Sequence, residues 1–558
     1  MRSTKENQGG TRAFSVAVAM LLAAAMFAVV LSAADTDDGR PFSDGPLGDG
    51  GDLLNKKNFG GSGTDVFNDV VAVPDGFVAV GYSAASSFGN GDWAGVPGQI
   101  EYTNKGSMDA IIVKFGPGGE VLWRYNFGGA GDDEFLGAAV MPEEGGYMIL
   151  AVGYSGASSF GNGDWTNVTG KGNNDAIIVA FSSGGDVVTA MNFGGAGGDV
   201  FNGVTVMPGE NGADTIAFAV GSSAAASFGN GDWTGVPGQI EYTNKGSTDA
   251  IIVAFGPGDG SGAVIAAKNF GGAGSDAFLD AVAIPGGTVF AVGYSQSPSF
   301  GNGDWTGVTG KGGTDAIIVA FGEWGEVIAA KNFGGAGDDW FKAADVRLGE
   351  NGGDSIVFAA GFSYEASFGN GDWTNVTGKG GTDAIIVAFG PGADEQGEVL
   401  AALNFGGAGD DWFESVAVGP GGYVFAVGCS TEASFGTGDW TNVTGKGGTD
   451  VIAVAFKDAK VEGAKNYGGE GDDYFYGMTL LPDGNTIAVG FSPEASFGNG
   501  DWTGVTGKGG NDATVMKIDT AVAAPGNGGG SNMILYISLA AVAVLSIAAV
   551  AYFFFIRK

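Results

Sequence analysis

Two short strings, each present seven times, supply most of the side chains in this chain that can do chemistry. The string GGxGxD ends in a carboxylate at Asp65, Asp133, Asp199, Asp276, Asp339, Asp411 and Asp473. The string SFGNGDW, which reads SFGTGDW in one copy, adds a carboxylate at Asp92, Asp164, Asp232, Asp304, Asp372, Asp439 and Asp501. Calcium takes about six to eight oxygen ligands, among them carboxylates and backbone carbonyls. One interpretation of these residues is therefore a set of calcium sites.

The alternative interpretation of the same Asp residues is structural. GGSGTDVF at 60–67 fits the calcium-binding nonapeptide pattern G-G-x-G-x-D-x-U. Sites of that kind share ligands between consecutive turns, whereas each copy here stands alone in the sequence. A glycine-rich tight turn whose Asp accepts backbone N–H groups explains the residues without a metal. Calcium is thus the only cofactor that the sequence suggests, and both interpretations stay open.

Large aromatic side chains flank the second string, with Phe88 and Trp93 in its first copy. As a functional element, such rings would be stacking platforms for sugars or another extended ligand. As a structural element, each ring would fill a gap between repeating units, where burying it contributes about 1.5–3 kcal/mol. Seven gaps explain seven copies without a ligand.

Two of the repeats carry an identical insertion, GVPGQIEYTNKGS, at 95–107 and 235–247. The insertion is either a relic of duplication or a contact for a partner. In the second case the contact residues would be Trp93, Gln99, Glu101, Tyr102, Trp233, Gln239, Glu241 and Tyr242. The sequon NVT also predicts N-glycosylation at Asn167, Asn375 and Asn442.

The composition excludes several classes of function. The net charge of −37 excludes nucleic acid as a partner, because phosphate binding needs Lys and Arg. The absence of His removes the imidazole as a general base and metal ligand, and the single Cys excludes an intrachain disulfide. Neither a nucleophile–base pair nor a phosphate loop is evident in the sequence. We therefore predict a protein that is not an enzyme.

Each repeat contains four short runs of β-branched and aromatic residues. In the first repeat these are VVAV at 70–73, FVAVGY at 77–82, DAIIVKF at 109–115 and EVLWRYNF at 120–127. Turn strings such as PDG and GPGG separate the runs, and none of them has helical periodicity. The sequence therefore predicts an all-β protein built from four-stranded units.

The ends of the repeat region predict how the units are joined. DLLNKKNF at 52–59 is a fourth strand with no repeat before it, whereas the last repeat stops at its third strand, DATVMKID, at 512–519. Pairing these two strands completes seven blades and removes two unpaired sheet edges. We therefore predict a seven-bladed β-propeller over 52–519.

The pattern NFGGAGDD…DAIIVAF…GEVIAAKNFGG resembles the prokaryotic β-propeller repeat family of secreted and cell-surface proteins. The resemblance covers about 53–519 and implies a propeller that serves as a surface or exported module. It supplies no catalytic residues.

The propeller fold also predicts which strings share a face. If the strands of a blade are labelled a to d from the centre outward, GGxGxD lies in the d-to-a connection and SFGNGDW in the b-to-c connection. These connections emerge together on what we call the uniform face. The a-to-b and c-to-d hairpins, which differ between repeats, emerge on the opposite, variable face. Both ends of the propeller leave from the variable face, so we expect the membrane to lie beneath it.

Two apolar segments predict the location of the protein. Residues 1–34 form a signal peptide or signal anchor with small residues before a cleavage site after Ala34. Residues 533–556 would span roughly 36 Å as a helix, enough for a hydrocarbon core of about 30 Å. The basic tail 557–558 places the C-terminus in the cytoplasm. Residues 35–51 and 520–532 are linkers.

Together these features predict a single-pass cell-membrane protein with an extracellular, non-enzymatic propeller that acts in adhesion, envelope scaffolding or protein interaction. Its partners are membrane lipid through the C-terminal helix, and envelope proteins or carbohydrate. The main alternative is a calcium-dependent carbohydrate-binding surface protein, and a more distant one is an enzyme acting on envelope polysaccharide.

Overall fold

The computed structural model describes Leu47 and residues 53–520, except 95–102, 144, 209–214, 235–242, 257–262, 286, 323–324, 350–354 and 391–396. The predicted signal segment, the transmembrane segment 533–556, the tail and most of both linkers lie outside the described residues. Within the described part of the chain, no helix is long and apolar enough to cross a bilayer.

Twenty-eight strands form seven antiparallel sheets of four strands each. The innermost strands, a, are β2 (Asp65–Val73), β6 (Asp133–Glu143), β10 (Asp199–Met207), β14 (Asp276–Ile284), β18 (Asp339–Arg347), β22 (Asp411–Val418) and β26 (Tyr474–Leu480). The b strands are β3 (Gly76–Ala84), β7 (Gly146–Gly156), β11 (Ile216–Ala224), β15 (Thr288–Gln296), β19 (Ile356–Tyr364), β23 (Val424–Thr431) and β27 (Thr486–Pro493).

The c and d strands complete each blade toward the periphery. The c strands are β4 (Met108–Phe115), β8 (Asn174–Ser182), β12 (Thr248–Phe255), β16 (Thr314–Gly322), β20 (Thr382–Gly390), β24 (Thr449–Lys457) and β28 (Asn511–Ile518). The d strands are β5 (Val121–Phe127), β9 (Val187–Phe193), β13 (Val264–Phe270), β17 (Val327–Phe333), β21 (Glu398–Phe405), β25 (Lys460–Tyr467) and β1 (Leu53–Phe59). Each b-to-c connection holds two single-turn 3-10 helices, the second of which is formed by the GDW of the repeated string.

The 3-10 helices that open the b-to-c connections are Ala85–Ser87, Ala157–Ser159, Ala225–Ser227, Ser297–Ser299, Glu365–Ser367, Glu432–Ser434 and Glu494–Ser496. The second set is Gly91–Trp93, Gly163–Trp165, Gly231–Trp233, Gly303–Trp305, Gly371–Trp373, Gly438–Trp440 and Gly500–Trp502, and one more 3-10 turn is Pro420–Gly422 in an a-to-b hairpin.

The N-terminal strand closes the ring, as the strand count predicted. β1 pairs antiparallel with β28, from Leu53 opposite Ile518 to Phe59 opposite Ala513. The last blade therefore takes its outer strand from the start of the chain, and the prediction of seven complete four-stranded blades is confirmed.

The hydrophobic core is divided among the seven seams between adjacent blades. Each of seven clusters of buried side chains combines residues of two neighbouring sheets. The c strands, with sequences such as DAIIVAF, are buried on both faces, which explains why they read as continuous apolar runs. Because neighbouring blades share each cluster, a blade does not have a core of its own.

The inner strands are joined to one another around the central channel. Every a strand has a register shift near its third residue, typical of a β-bulge. Beyond it, a side-chain oxygen accepts a hydrogen bond from a backbone N–H of a neighbouring a strand at six of the seven junctions. The pairs are Asp69–Ala138, Thr205–Ala283, Asp280–Ala344, Asp345–Val418, Ser415–Met478 and Thr479–Ala72.

The described ends of the chain lie on the variable face. Leu53 pairs with the end of β28. The Thr520 hydroxyl bonds to the Thr486 hydroxyl and the Gly484 carbonyl, in the a-to-b hairpin of the last blade. This placement is the one that the connectivity predicted for the two ends of the propeller.

Candidate functional site

The carboxylate of the GGxGxD turn is buried in all seven repeats. Its Oδ2 accepts a hydrogen bond from the backbone N–H of the second turn glycine at 2.8–2.9 Å. The same oxygen accepts a second bond, from the serine hydroxyl of SFGNGDW, at 2.7–2.9 Å. Burial raises the pKa of all seven carboxyls, to about 6 for Asp339. Each of these Asp residues therefore fastens the b-to-c connection to the turn before its own strand.

The carboxylate of SFGNGDW belongs to a different contact, which crosses the seam. In every repeat a Lys ammonium from the preceding blade lies 2.6–2.7 Å from its Oδ2. The same oxygen accepts a backbone N–H from the first turn glycine at 2.9–3.0 Å. The seven pairs are Lys105–Asp164, Lys171–Asp232, Lys245–Asp304, Lys311–Asp372, Lys379–Asp439, Lys446–Asp501 and Lys508–Asp92. They form a complete ring of ion pairs between blades.

The Lys residues of this ring are site residues that the sequence interpretation missed. A signal was present, because each Lys stands four residues before the Asp that opens a c strand, as Lys311 stands before Asp315. The backbone N–H of each Lys bonds to that Asp, and the ammonium also bonds to the backbone oxygen of the Asn in the NFGG or NYGG string. This spacing places the ammonium at the outer strand of its own blade, beside the next blade.

The seven Trp residues of SFGNGDW are buried in the seams. They are Trp93, Trp165, Trp233, Trp305, Trp373, Trp440 and Trp502, each at most 1% exposed. In six seams the indole meets the Phe of the preceding blade's NFGG edge-on, with ring centroids 5.0–5.1 Å apart. The rings of Trp93 and Trp233 are therefore seam fillers in this structure, and their faces are not open to a ligand.

Protein donors engage both carboxylates of each repeat. The first accepts a turn N–H and a Ser hydroxyl, and the second accepts the N–H of the neighbouring turn glycine and pairs with a Lys across the seam. Among the residues that the structure describes, no group of three or more Asp, Glu or Cys side chains is arranged to hold a metal ion. These turns thus do not fit a calcium site built from both carboxylates, and calcium binding stays an untested prediction of the sequence.

The remaining predicted residues lie on the surface or outside the described chain. Asn167, Asn375 and Asn442 are exposed in b-to-c connections of the uniform face, and their glycosylation stays a prediction. The insertion residues offered as partner contacts, Gln99, Glu101, Tyr102, Gln239, Glu241 and Tyr242, lie outside the described residues.

The seven-fold uniformity ends at the entrance of the central channel. The residue directly after the GGxGxD Asp of each repeat is Val66, Glu134, Val200, Ala277, Trp340, Trp412 or Tyr474. The third residue after the same Asp is Asn68, Leu136, Asn202, Leu279, Lys342, Glu414 or Tyr476. Because each a strand starts at the uniform face, these positions surround the channel where it opens on that face. The sequence holds this signal, because both positions differ between repeats whereas the Asp before them and the Phe between them recur in all seven. The sequence interpretation missed it.

Blades four to seven contribute rings to this entrance, which we call the aromatic arc: Tyr294, Trp340, Phe362, Trp412, Tyr474, Tyr476 and Phe491. Tyr294 stacks on Trp340 with centroids 4.0 Å apart, across the seam between blades four and five. Tyr474 stacks on Phe491 at 5.1 Å in blade seven. All seven rings are half-buried, so each keeps part of its surface in contact with solvent.

An ion pair between blades five and six lies within the aromatic arc. The Lys342 ammonium lies 3.3 Å from Glu414 and 5.9 Å from the ring centroids of both Trp340 and Phe362. Burial raises the pKa of the Glu414 carboxyl, and the Lys342 charge opposes that rise.

The opposite side of the entrance is polar, and we call Asn68, Tyr82, Glu134 and Tyr154 the polar arc. Glu134 accepts hydrogen bonds from the Asn68 amide at 2.8 Å and from the Tyr154 hydroxyl at 2.9 Å. Burial raises the pKa of the Glu134 carboxyl, and these two bonds oppose the rise. The entrance is thus aromatic on one side and hydrogen-bonding on the other.

Three carboxyls lie deeper in the channel, below the entrance. Asp69, Asp280 and Asp345 each accept a backbone N–H from the next a strand. Burial raises the pKa of Asp69 and of Asp280 to about 7 and that of Asp345 to about 6, and repulsion by the other two carboxyls adds to the rise at Asp280. The channel is consequently an acidic environment.

No family model and no curated protein sequence matches this chain. Among solved structures, BamB from Moraxella catarrhalis matches with 12% identity and a TM-score of 0.31, covering 82% of this chain and 99% of that chain. A neuraminidase-like protein from A/bat/Guatemala/164/2009 matches with 8% identity and a TM-score of 0.33, covering 70% of this chain and 89% of that chain. Similarities at this level carry no inference about function. The propeller fold rests on the strand pairing, and membership of the prokaryotic repeat family stays a prediction.

Proposed function

We propose that this protein is a membrane-anchored cell-surface propeller that acts as a non-enzymatic interaction module in adhesion or envelope scaffolding. The observation that carries the proposal is that both described ends of the chain lie on one face of the propeller, opposite the uniform face. Leu53 and Thr520 both lie on the variable face, so anchoring segments beyond them leave the uniform face open.

The uniform face supports an interaction role more than a catalytic one. Its fourteen repeated carboxylates are engaged by serine, glycine and lysine partners that hold the blades together. What differs from blade to blade is the channel entrance, where one partner can be distinguished from another. In this proposal the entrance meets the partner and the C-terminal helix 533–556 holds the propeller to the membrane.

Site-specific labelling of intact cells tests this topology. The one native cysteine, Cys429, is buried, so the wild-type protein should react little with a membrane-impermeant maleimide. Glu365→Cys, at an exposed position of the uniform face, should be labelled on intact cells. Lys558→Cys should be labelled only after lysis. Labelling of Glu365→Cys only after lysis would overturn the proposal.

A further inference from the structure

The channel entrance has a chemical asymmetry that no structural requirement of the fold explains. The other recurring contacts of the uniform face are repeated around the ring, as in the Lys–Asp pairs. The aromatic arc occupies blades four to seven, and the polar arc occupies blades one and two. A propeller needs neither a Trp at position 340 nor a Glu at position 134, because Val66 and Val200 fill the equivalent positions elsewhere.

The acidity of the chain disfavours an anionic ligand. The whole chain carries a net charge of −37. A polyanion approaching the entrance would be repelled, more strongly at low salt.

A cationic side chain is disfavoured at the blade-five part of the entrance for a different reason. Two rings of the aromatic arc already have a cation beside them, because the Lys342 ammonium lies 5.9 Å from the ring centroids of both Trp340 and Phe362. Its partner carboxylate, Glu414, is engaged by Lys342. A second ammonium placed beside Trp340 or Phe362 would be repelled by the like charge of Lys342.

We propose that the entrance binds a neutral oligosaccharide, with a pyranose ring held between the aromatic arc and the polar arc. A pyranose has C–H groups that pack against the negative faces and edges of aromatic rings, and hydroxyls at its rim that exchange hydrogen bonds with amides, carboxylates and phenols. The aromatic arc supplies the first surface and Asn68, Glu134 and Tyr82 supply the second. This proposal rests on the proposed function, since it names the ligand class of the interaction module.

Binding to the purified full-length protein tests the proposal. The probes are neutral hexasaccharides of β-1,4-glucan, α-mannan and β-1,4-galactan, compared with an anionic hexauronate and a Lys-rich peptide, by isothermal titration calorimetry. Trp412→Ala should weaken binding of the accepted neutral probe about tenfold or more, equivalent to about 1.4 kcal/mol. Trp123→Ala is the matched control, because Trp123 lies on an outer d strand and bonds to the Ser183 carbonyl. It should bind as the wild type does.

A second variant guards against loss of folding. Tyr82→Phe removes one hydroxyl from the polar arc and leaves the ring in place, so its melting temperature should match the wild type while binding weakens. Absence of binding by every neutral probe, or tighter binding of the anionic or the basic probe, would overturn the proposal. Neutral-probe binding that is unchanged in Trp412→Ala and Tyr82→Phe would overturn it as well. Cleavage of a bound saccharide would instead contradict the non-enzymatic part of the proposed function. The cell-surface labelling experiment tests the topology alone, so its result does not depend on whether a saccharide binds.

Discussion

At the scale of single residues, the repeated Asp side chains bond the turns and b-to-c connections to each other and to the neighbouring blade. The GGxGxD carboxylate receives a backbone amide and a serine hydroxyl, and the SFGNGDW carboxylate receives a Lys ammonium and a backbone amide. A buried carboxylate without such donors would cost several kcal/mol of folding free energy. The fold therefore needs these donors in every blade, and the strings that supply them recur for that reason.

Removing one seam ion pair should lower stability modestly. Asp372→Asn should reduce the free energy of unfolding by about 1–2 kcal/mol, because the Lys311 ammonium loses its charged partner at a partly buried position. Urea titration monitored by circular dichroism measures the effect. Glu365→Gln, at an exposed position of the same blade, is the control and should leave the midpoint unchanged. A wild-type midpoint for Asp372→Asn would contradict a stabilising role for the Lys–Asp ring.

Chelation tests the calcium interpretation of the same residues. We expect the melting temperature to be the same in EDTA and in excess CaCl2, because protein donors already engage both carboxylates of each turn. Differential scanning calorimetry of the full chain measures it. A rise in melting temperature with calcium that Asp339→Asn abolishes would show instead that the turns bind the ion.

At the scale of elements, the strand exchange between the two ends of the propeller holds the ring closed. β1 contributes an entire d strand to the last blade, and its Asn58 amide bonds to Asp512 at 2.6 Å. The backbone oxygen of Asn58 also accepts a bond from Lys508. Without this strand, β28 would be an unpaired edge next to an open seam.

Truncation measures the contribution of that strand. Removing residues 1–59 should convert a monomer into aggregates and lower the melting temperature, because the last blade is left with three strands. Removing residues 1–46 is the matched control, since it keeps β1 and the buried Leu47. Light scattering coupled to gel filtration distinguishes the two species. A monomeric protein lacking residues 1–59, with unchanged melting temperature, would show that closure does not depend on β1.

At the scale of the whole molecule, the burial of carboxyls makes stability depend on pH. Burial raises the pKa of Asp69 and of Asp280 to about 7 and that of Asp345 to about 6, whereas the ordinary value is 3.8. The folded state therefore binds protons between pH 7 and pH 4 that the unfolded state does not bind. By linkage, the free energy of unfolding rises as the pH falls through this window, and it is lowest above pH 7.

Stability measured against pH checks this expectation. The wild-type protein should unfold at a higher urea concentration at pH 5 than at pH 8. The triple variant Asp69→Asn, Asp280→Asn, Asp345→Asn should show a flatter profile, because an amide accepts the same backbone N–H without titrating. Equal slopes for the two proteins would assign the pH dependence to the other carboxyls. Greater stability at pH 8 than at pH 5 would contradict the sign.

By itself the sequence determined the blade number, the closure and the assignment of strings to faces. These features depend on short apolar runs, on the turn residues between them and on the number of strands at each end of the repeat region, and all three can be recognised in the sequence. The seven-bladed ring and the pairing of 52–59 with the last repeat follow from them, and the structure confirms both.

Only the tertiary structure decided which groups meet across the seams and around the channel. Lys311 reaches Asp372 in the next blade, 61 residues away, and Lys508 reaches Asp92 across the closure. The entrance gathers Tyr82, Glu134 and Glu414 from blades one, two and six, whose sequence positions give no sign of proximity. A repeat pattern specifies what each blade contains, whereas contacts between blades arise only when the ring closes and brings distant strands to one axis.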